Sequence, residues 1–486
     1  MSQQSAYRHI LKATSIFGSV QVFTIFISLI RSKFIAVFTG VTGVGIIGLL
    51  ISVINTIWCF TNFGIETSAV KNISTVQDNN QKLAREKSIL KRIAWISGIF
   101  GSIIMIIFSP VLSKITFGNY EFTWTFVLVS ITLLFKQLTV SSIVVLQGLQ
   151  KIKYLAKANL YGNLIGLLVS IPLYYFFGID AIMPTIILSS IATFIGAKFY
   201  ENKLKIATVK LSNREAITEG KKILTLGFSL SFTGLLTTFS AYLLQIFIAN
   251  IDDVMQVGLY TAGFTIINTY AGVIFTAMAS DYYPRLTKAI GNNILVKELV
   301  IQQSTFAVLV LTPVIVIFLL LSPSIIRLLY SKEFLPIVPF ISWAILAVII
   351  KSVSWSMGYV LLAKGDSKLF IKTSVFFNSI FLLMNVLGYF YYGLEGLGIV
   401  FLLYYFIHFF ALKIIIRKKY DIQFEFAFYK LLISCFAICA LAFICLKIEN
   451  NYLKNVVLLI LILFSTLYSI KELNQRIDFK TFFSKK

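Results

Sequence analysis

Apolar runs of about 20 residues, separated by short polar stretches, recur along the whole chain. They do not break into the alternating ~10-residue segments of a membrane barrel. Each run predicts a helix, because a segment surrounded by hydrocarbon has to satisfy its own backbone hydrogen bonds. Fourteen spans are predicted, at roughly 14–38, 44–69, 93–111, 122–146, 158–177, 181–197, 223–249, 257–283, 299–322, 337–362, 373–391, 396–412, 431–446 and 455–470. The polar start, Met1 to about Lys12, leads into a first run too long for a signal-peptide core, so this helix is expected to remain as an anchor.

Composition agrees. Of 486 residues, 58% are hydrophobic and 13% charged, and the mean hydropathy is +0.87. The net charge of +23 raises the question of nucleic acid. Its distribution answers it. With the N-terminus in the cytoplasm, 34 of the 43 Lys and Arg fall in inner loops and tails, 5 in outer loops and 4 within spans. That bias is the positive-inside signature, and it supplies attraction to anionic lipid headgroups. No nucleic-acid partner is expected. Cys59, Cys435, Cys439 and Cys445 all fall in predicted spans, with no CxxC pair and no metal-ligand spacing, and read as small apolar side chains.

The chain also repeats itself. At an offset of 213, "VGIIGLLISVINT" from Val44 lies over "VGLYTAGFTIINT" from Val257, so Asn55 meets Asn268. At an offset of 215, Lys153, Lys157 and Asn163 meet Lys368, Lys372 and Asn378, and "YYFFGIDAI" lies over "YFYYGLEGL". Each copy holds six spans, an even number, so the two enter the membrane in the same orientation, as in transporters built of parallel repeats. The fold class expected is therefore an all-α polytopic membrane protein. It comprises two six-helix lobes, 1–210 and 211–425, followed by two further spans and a basic cytoplasmic tail, 426–486. The loops are too short for an extramembranous catalytic module, and no GxxxxGK[ST] pattern is present. An enzyme is not expected.

The same 215 offset pairs Lys136 with Lys351, each close to the centre of its span. A lysine there costs about 2.5–3.5 kcal/mol. Either each one snorkels or pairs with a buried carboxylate, or both face a water-filled cavity between the lobes. Snorkelling is awkward from the midplane, and acids are few: Glu66 and Asp281 lie near the inner ends of spans two and eight. Arg31 is expected to join the cavity, and Lys33 either joins it or reaches the outer surface. A cationic, partly hydrated cavity selects anions. Asn55 and Asn268 are either interhelical hydrogen-bonding residues or part of the lining. Trp58, Tyr242, Tyr270 and Trp355 either stack on sugar rings or simply pack. His9 reads as a solvated tail residue and His408 as a hydrogen-bonded packing residue.

The stretches "FTGVTGVGIIGLLISVINTIWCFTNFGIETSAVK" (38–71), "VGLYTAGFTIINTYAGVIFTAMASDYYPRLT" (257–287) and "GYVLLAKGDSKLF" (358–370) resemble the O-antigen translocases. These are Wzx-type lipid-linked oligosaccharide flippases, in the polysaccharide transporter family of the multidrug/oligosaccharidyl-lipid/polysaccharide exporter superfamily. The resemblance covers most of the chain and is weakest over the last two spans. It implies a bacterial inner-membrane flippase with a V-shaped, two-lobed fold and alternating access. Its cargo would be undecaprenyl-pyrophosphate-linked repeat units, moved from the cytoplasmic to the periplasmic leaflet. Other polysaccharide-assembly membrane proteins are candidate partners. Depth and charge, rather than a family motif, place Lys136, Lys351 and Arg31 on the substrate path, and the repeat adds Asn55 and Asn268 as candidates. No cofactor is expected. Coupling to H+ or Na+ stays open, with Glu66 and Asp281 as candidate carriers. The alternatives are a multidrug or cation antiporter and a peptidoglycan-precursor flippase of the same superfamily. An antiporter for cations should carry more intramembrane acids than bases, the reverse of what the spans hold.

Overall fold

The computed structural model describes residues 3–270 and 272–475; side chains are described from residue 23 onward, except in 222–230 and at Thr67, Thr269, Tyr270, Val273, Thr276, Ala277, Ser280 and Ser367. The expectations for the His9 and Tyr270 side chains thus lie outside the described residues. The regular structure within the described residues is helical. The helices are α1 (Gln3–Thr61), α2 (Ile65–Thr75), α3 (Asn80–Phe117), α4 (Thr123–Val129), α5 (Ile131–Gly148), α6 (Ile152–Phe177), α7 (Ile182–Asn202) and α8 (Asn213–Ile251), then α9 (Val254–Thr265), α10 (Gly272–Lys288), α11 (Asn293–Leu329), α12 (Val338–Ala363), α13 (Ser367–Tyr420), α14 (Phe426–Cys445) and α15 (Asn451–Asn474).

Among the described residues, ten helical elements are long and apolar enough to cross a membrane. Three of them are far too long for one crossing: Phe23–Thr61, Ile152–Asn202 and Lys368–Tyr420, of 39, 51 and 53 residues. At about 1.5 Å per residue the longer two would run past 75 Å if straight, against a hydrocarbon thickness of about 30 Å. Each contains a turn. Gly40 (φ 65°) and Gly393 (φ 56°) adopt backbone conformations closed to most other residues, and a 3-10 turn at Gly178–Ala181 separates α6 from α7. Past Gly393 the chain doubles back so tightly that a Cβ on Gly396 would strike the Gly388 carbonyl. Each of these elements therefore carries two expected spans. The expected span 257–283 runs through α9, a π-helical turn at Ile266–Tyr270 and α10. With these resolved, all fourteen expected spans fall on helical elements.

The boundaries differ from expectation in a consistent way. Connections read as loops are largely helix. The "GVTG" loop is helical apart from Gly40. The basic connection 70–92 is mostly α2 and α3, with Asn79 Oδ1 accepting from the Lys82 amide at 3.0 Å. The connection 198–222 narrows to about ten residues before Ser212 and Glu215 close a capping box on α8. Span two ends early: α1 stops at Thr61, and Phe63 (φ 48°) and Gly64 (φ 64°) turn the chain into α2. Glu66 therefore sits in the first turn of a separate short helix. Hydropathy reports where lipid begins, whereas helices continue until a cap stops them.

The chain divides into two compact units, residues 1–258 with 329–331, and residues 259–328 with 332–486. In the first, α8 packs along α1, α2 and α3, although the sequence repeat aligns it with the second copy. Its core joins Leu50, Val53 and Ile54 of α1 to Met105, Phe126, Leu133 and Tyr174. In the second, α12 packs on α13 and α14, and Trp343 meets Phe443 with ring centroids 4.4 Å apart. Cys435 and Cys439 are buried there, with the Cys439 thiol directed at the Thr312 carbonyl at 3.7 Å.

A buried ion cluster ties α3, α5 and α7 together. Glu201 lies 3.3 Å from Lys87 and 2.6 Å from Lys198, and accepts a 2.8 Å hydrogen bond from Ser142. Lys87 also donates to the Ile206 carbonyl at 3.1 Å, holding the chain just past α7. Lys87 and Glu201 are 4% and 3% exposed, so removing one charge strands the other. Glu201→Leu is expected to destabilise the folded protein by about 3–5 kcal/mol. The check is a thermal melt of the purified protein in detergent, in which an unchanged transition would contradict it.

Candidate functional site

Lys136 lies halfway along the 26-residue segment Thr123–Gly148. An ammonium group only donates, so each neighbour must present electron density to it. Its Nζ donates to Asn55 Oδ1 at 2.7 Å and sits 4.1 Å from the centroid of the Trp58 ring. Asn55 and Trp58 are three residues apart on α1 and so share a face. The indole is itself held. Trp58 Nε1 donates to Gln137 Oε1 at 3.0 Å, and Gln137 Nε2 donates to Asn62 Oδ1 at 3.1 Å, where α1 ends.

These residues line a cavity of about 470 Å³ inside the first unit, within the usual size range of small-molecule sites. Asn55, Trp58, Glu66, Lys136, Asn159 and Asn163 are among its lining residues. Lys136 and Glu66 border the same space without forming an ion pair; none of the ion pairs found among the described residues includes Lys136. Arg31 reaches the same region from the first half of α1. Its Nη2 donates to the Asn163 carbonyl at 3.1 Å, and its buried Nε has no hydrogen-bond partner among the described residues. Lys33 instead donates to the Tyr330 carbonyl.

Lys351 occupies the corresponding place in α12, fourteenth of 26 residues. Its Nζ donates to Asn268 Oδ1 at 2.9 Å and faces three rings, Phe275, Phe401 and Tyr405, at 5.7, 5.5 and 5.4 Å. Asn268 lies in the π-helical turn, a local widening that recurs at functional sites. Lys351 too is absent from the ion pairs of the described residues. The four residues that the repeat matched separately, Lys136 with Lys351 and Asn55 with Asn268, are thus two copies of one hydrogen bond. Sequence alone left the asparagines open between packing and lining; the structure shows each bonded to its lysine.

The remaining candidates fall elsewhere. Asp281 pairs with Arg285 one turn along α10 at 2.7 Å and is largely exposed. Tyr242 is buried and bonded to Thr116 at 2.6 Å. Trp355 packs against Phe275, Tyr282 and Tyr359. His408 was expected to be hydrogen-bonded. Instead its ring rests on Phe377 and Tyr404, and its buried Nδ1 has no partner among the described residues. Sequence reasoning missed Gln137, Asn62, Phe401 and Tyr405. Trp58 was noted as an aromatic, but its spacing from Asn55 could also have placed it beside Lys136.

The helical architecture resembles that of several solved membrane proteins. A multidrug resistance MATE family transporter of the MOP superfamily in an inward-facing conformation superposes with a TM-score of 0.68 at 14% identity, covering 86% of this chain and 99% of its own. The lipid II flippase MurJ in an inward closed conformation gives 0.70 at 12% identity, covering 96% and 99%. A MOP superfamily transporter from Pyrococcus furiosus, characterised by a binding pocket of reverse polarity, gives 0.57 at 14% identity, covering 85% and 97%. At these identities the likeness is one of fold. No curated protein sequence matches significantly. The polysaccharide biosynthesis protein family matches residues 38–339, well over half of the chain, and the protein belongs to that family.

Proposed function

We propose that the protein is a flippase that moves undecaprenyl-pyrophosphate-linked O-antigen repeat units from the cytoplasmic to the periplasmic leaflet of a bacterial inner membrane. Both termini lie in the cytoplasm. The observation that carries this reading is the mid-span ammonium of Lys136, bonded to an amide oxygen rather than ion-paired, at the wall of a 470 Å³ cavity that Glu66 also borders. Such a site attracts anions and repels the cations that a drug antiporter carries. Membership of the polysaccharide biosynthesis family supports a saccharide cargo, and the fold shared with a lipid II flippase supports a lipid-linked one.

The headgroup enters from the inner leaflet while the lipid tail stays in the bilayer. A membrane potential negative inside drives anions outward by about 2.3 kcal/mol per charge per 100 mV. Coupling to H+ or Na+ adds to this through Glu66, which borders the cavity. Asp281 would have to leave Arg285 to take part. Deleting the gene in a host whose surface O-antigen depends on it should abolish surface polysaccharide and accumulate lipid-linked repeat units facing the cytoplasm. Restoring the gene should reverse both. Normal surface polysaccharide with altered drug resistance in the deletion strain would overturn the reading in favour of an antiporter.

A further inference from the structure

This chain holds lysines within its helical spans in two different ways: Lys87 is buried, whereas Lys136 and Lys351 are half-buried. Lys87 is compensated by a carboxylate, Glu201, at 3.3 Å. Lys136 and Lys351 are given an amide oxygen and aromatic faces instead. An amide oxygen satisfies one N–H of an ammonium while leaving its charge whole, and a ring face contributes a quadrupole with no net charge. A carboxylate at the same place would turn the bond into an ion pair and cancel the charge. A mid-span lysine kept only for architecture gains more from a carboxylate partner, as Lys87 does from Glu201. The repeat nevertheless carries asparagine in both copies, at equivalent positions.

We infer that Asn55 and Asn268 are positioning residues whose neutrality is their function: each fixes its lysine at mid-span with the positive charge left free for an anionic group of the cargo, such as a diphosphate. This rests on the flippase reading above and specifies what those two positions require. Aspartate is nearly isosteric with asparagine, so it keeps the geometry and changes only the charge. A purely structural bond should tolerate or welcome the exchange, whereas a bond that presents charge should fail.

The experiment compares the wild-type chain with Asn55→Asp and, separately, Asn268→Asp. It measures surface polysaccharide at matched membrane protein levels, and melting temperature in detergent with and without inorganic pyrophosphate. Each variant is expected to melt at or above the wild-type temperature, to lose pyrophosphate stabilisation, and to export at least roughly tenfold less. Wild-type export with an unchanged pyrophosphate response in either variant overturns the inference for that position. A lowered melting temperature also overturns it, because the carboxylate should strengthen the bond. If the wild-type chain itself fails to restore export in the deletion host, the flippase reading is what has failed.

Discussion

Export should fall by roughly 10- to 100-fold when Lys136 or Lys351 is replaced by alanine, and further when both are, while the protein itself becomes no less stable. A hydrogen bond to a charged group contributes about 1.5–3 kcal/mol, which corresponds to a rate or affinity factor of that order. The two lysines lie in separate units and share no partner, so their losses should add in free energy. Stability should move the other way. Each ammonium costs about 2.5–3.5 kcal/mol to hold at mid-span, and alanine removes that cost. The check is surface polysaccharide at matched membrane levels, alongside a detergent melt. Full export by the double variant would make both lysines packing residues and remove the electrostatic basis of the flippase reading. Lost export together with a collapsed melt would point to misfolding instead.

The membrane architecture is legible in the sequence because lipid allows few alternatives: an apolar run of sufficient length has to be a helix. Element ends are not legible in the same way. Gly40 and Gly393 turn the chain within continuous helix, and no hydropathy window separates a turn of one residue from the spans beside it. The turn that takes α1 into α2 through Phe63 and Gly64 lies between apolar residues, so hydropathy carries span two across it. The site was legible by halves. The repeat singled out Lys136, Lys351, Asn55 and Asn268, since a charged or amide residue repeated at mid-span is costly unless used. It could not say that lysine and asparagine meet, because they are separated by 81 and 83 residues and the contact depends on how helices pack. Phe401 and Tyr405 gave no signal at all, being two among many aromatics in a lipid-facing chain. The association of α8 with α1 to α3 escaped for a related reason. A repeat records descent of segments, whereas packing follows which faces find each other.

Adding one methyl group at Gly45 or Gly258 should destabilise the protein by about 1–3 kcal/mol, visible in a chain of this length as a fall in melting temperature of roughly 1–3 °C. A Cβ on Gly45 would strike the Val254 carbonyl and come within 3.0 Å of the Gly258 amide nitrogen; a Cβ on Gly258 would strike the Val41 carbonyl and come within 3.0 Å of the Gly45 amide nitrogen. The obstructing atoms are backbone, so no rotamer change relieves the clash. Gly234→Ala provides the control, since a Cβ there meets nothing within 4 Å and alanine favours helix. The contact also maps onto itself. Val41 and Val254, like Gly45 and Gly258, are repeat equivalents 213 residues apart, so one crossing of α1 and α9 is read identically from either copy. That symmetry sets the outcome of the double variant. Once a first methyl has pushed the backbones apart, the second enters space already opened, and Gly45→Ala with Gly258→Ala should cost little more than either alone. Neighbouring sites that share a contact depart from additivity in this way, whereas full additivity would mean that the two glycines relax independently and do not form a single crossing.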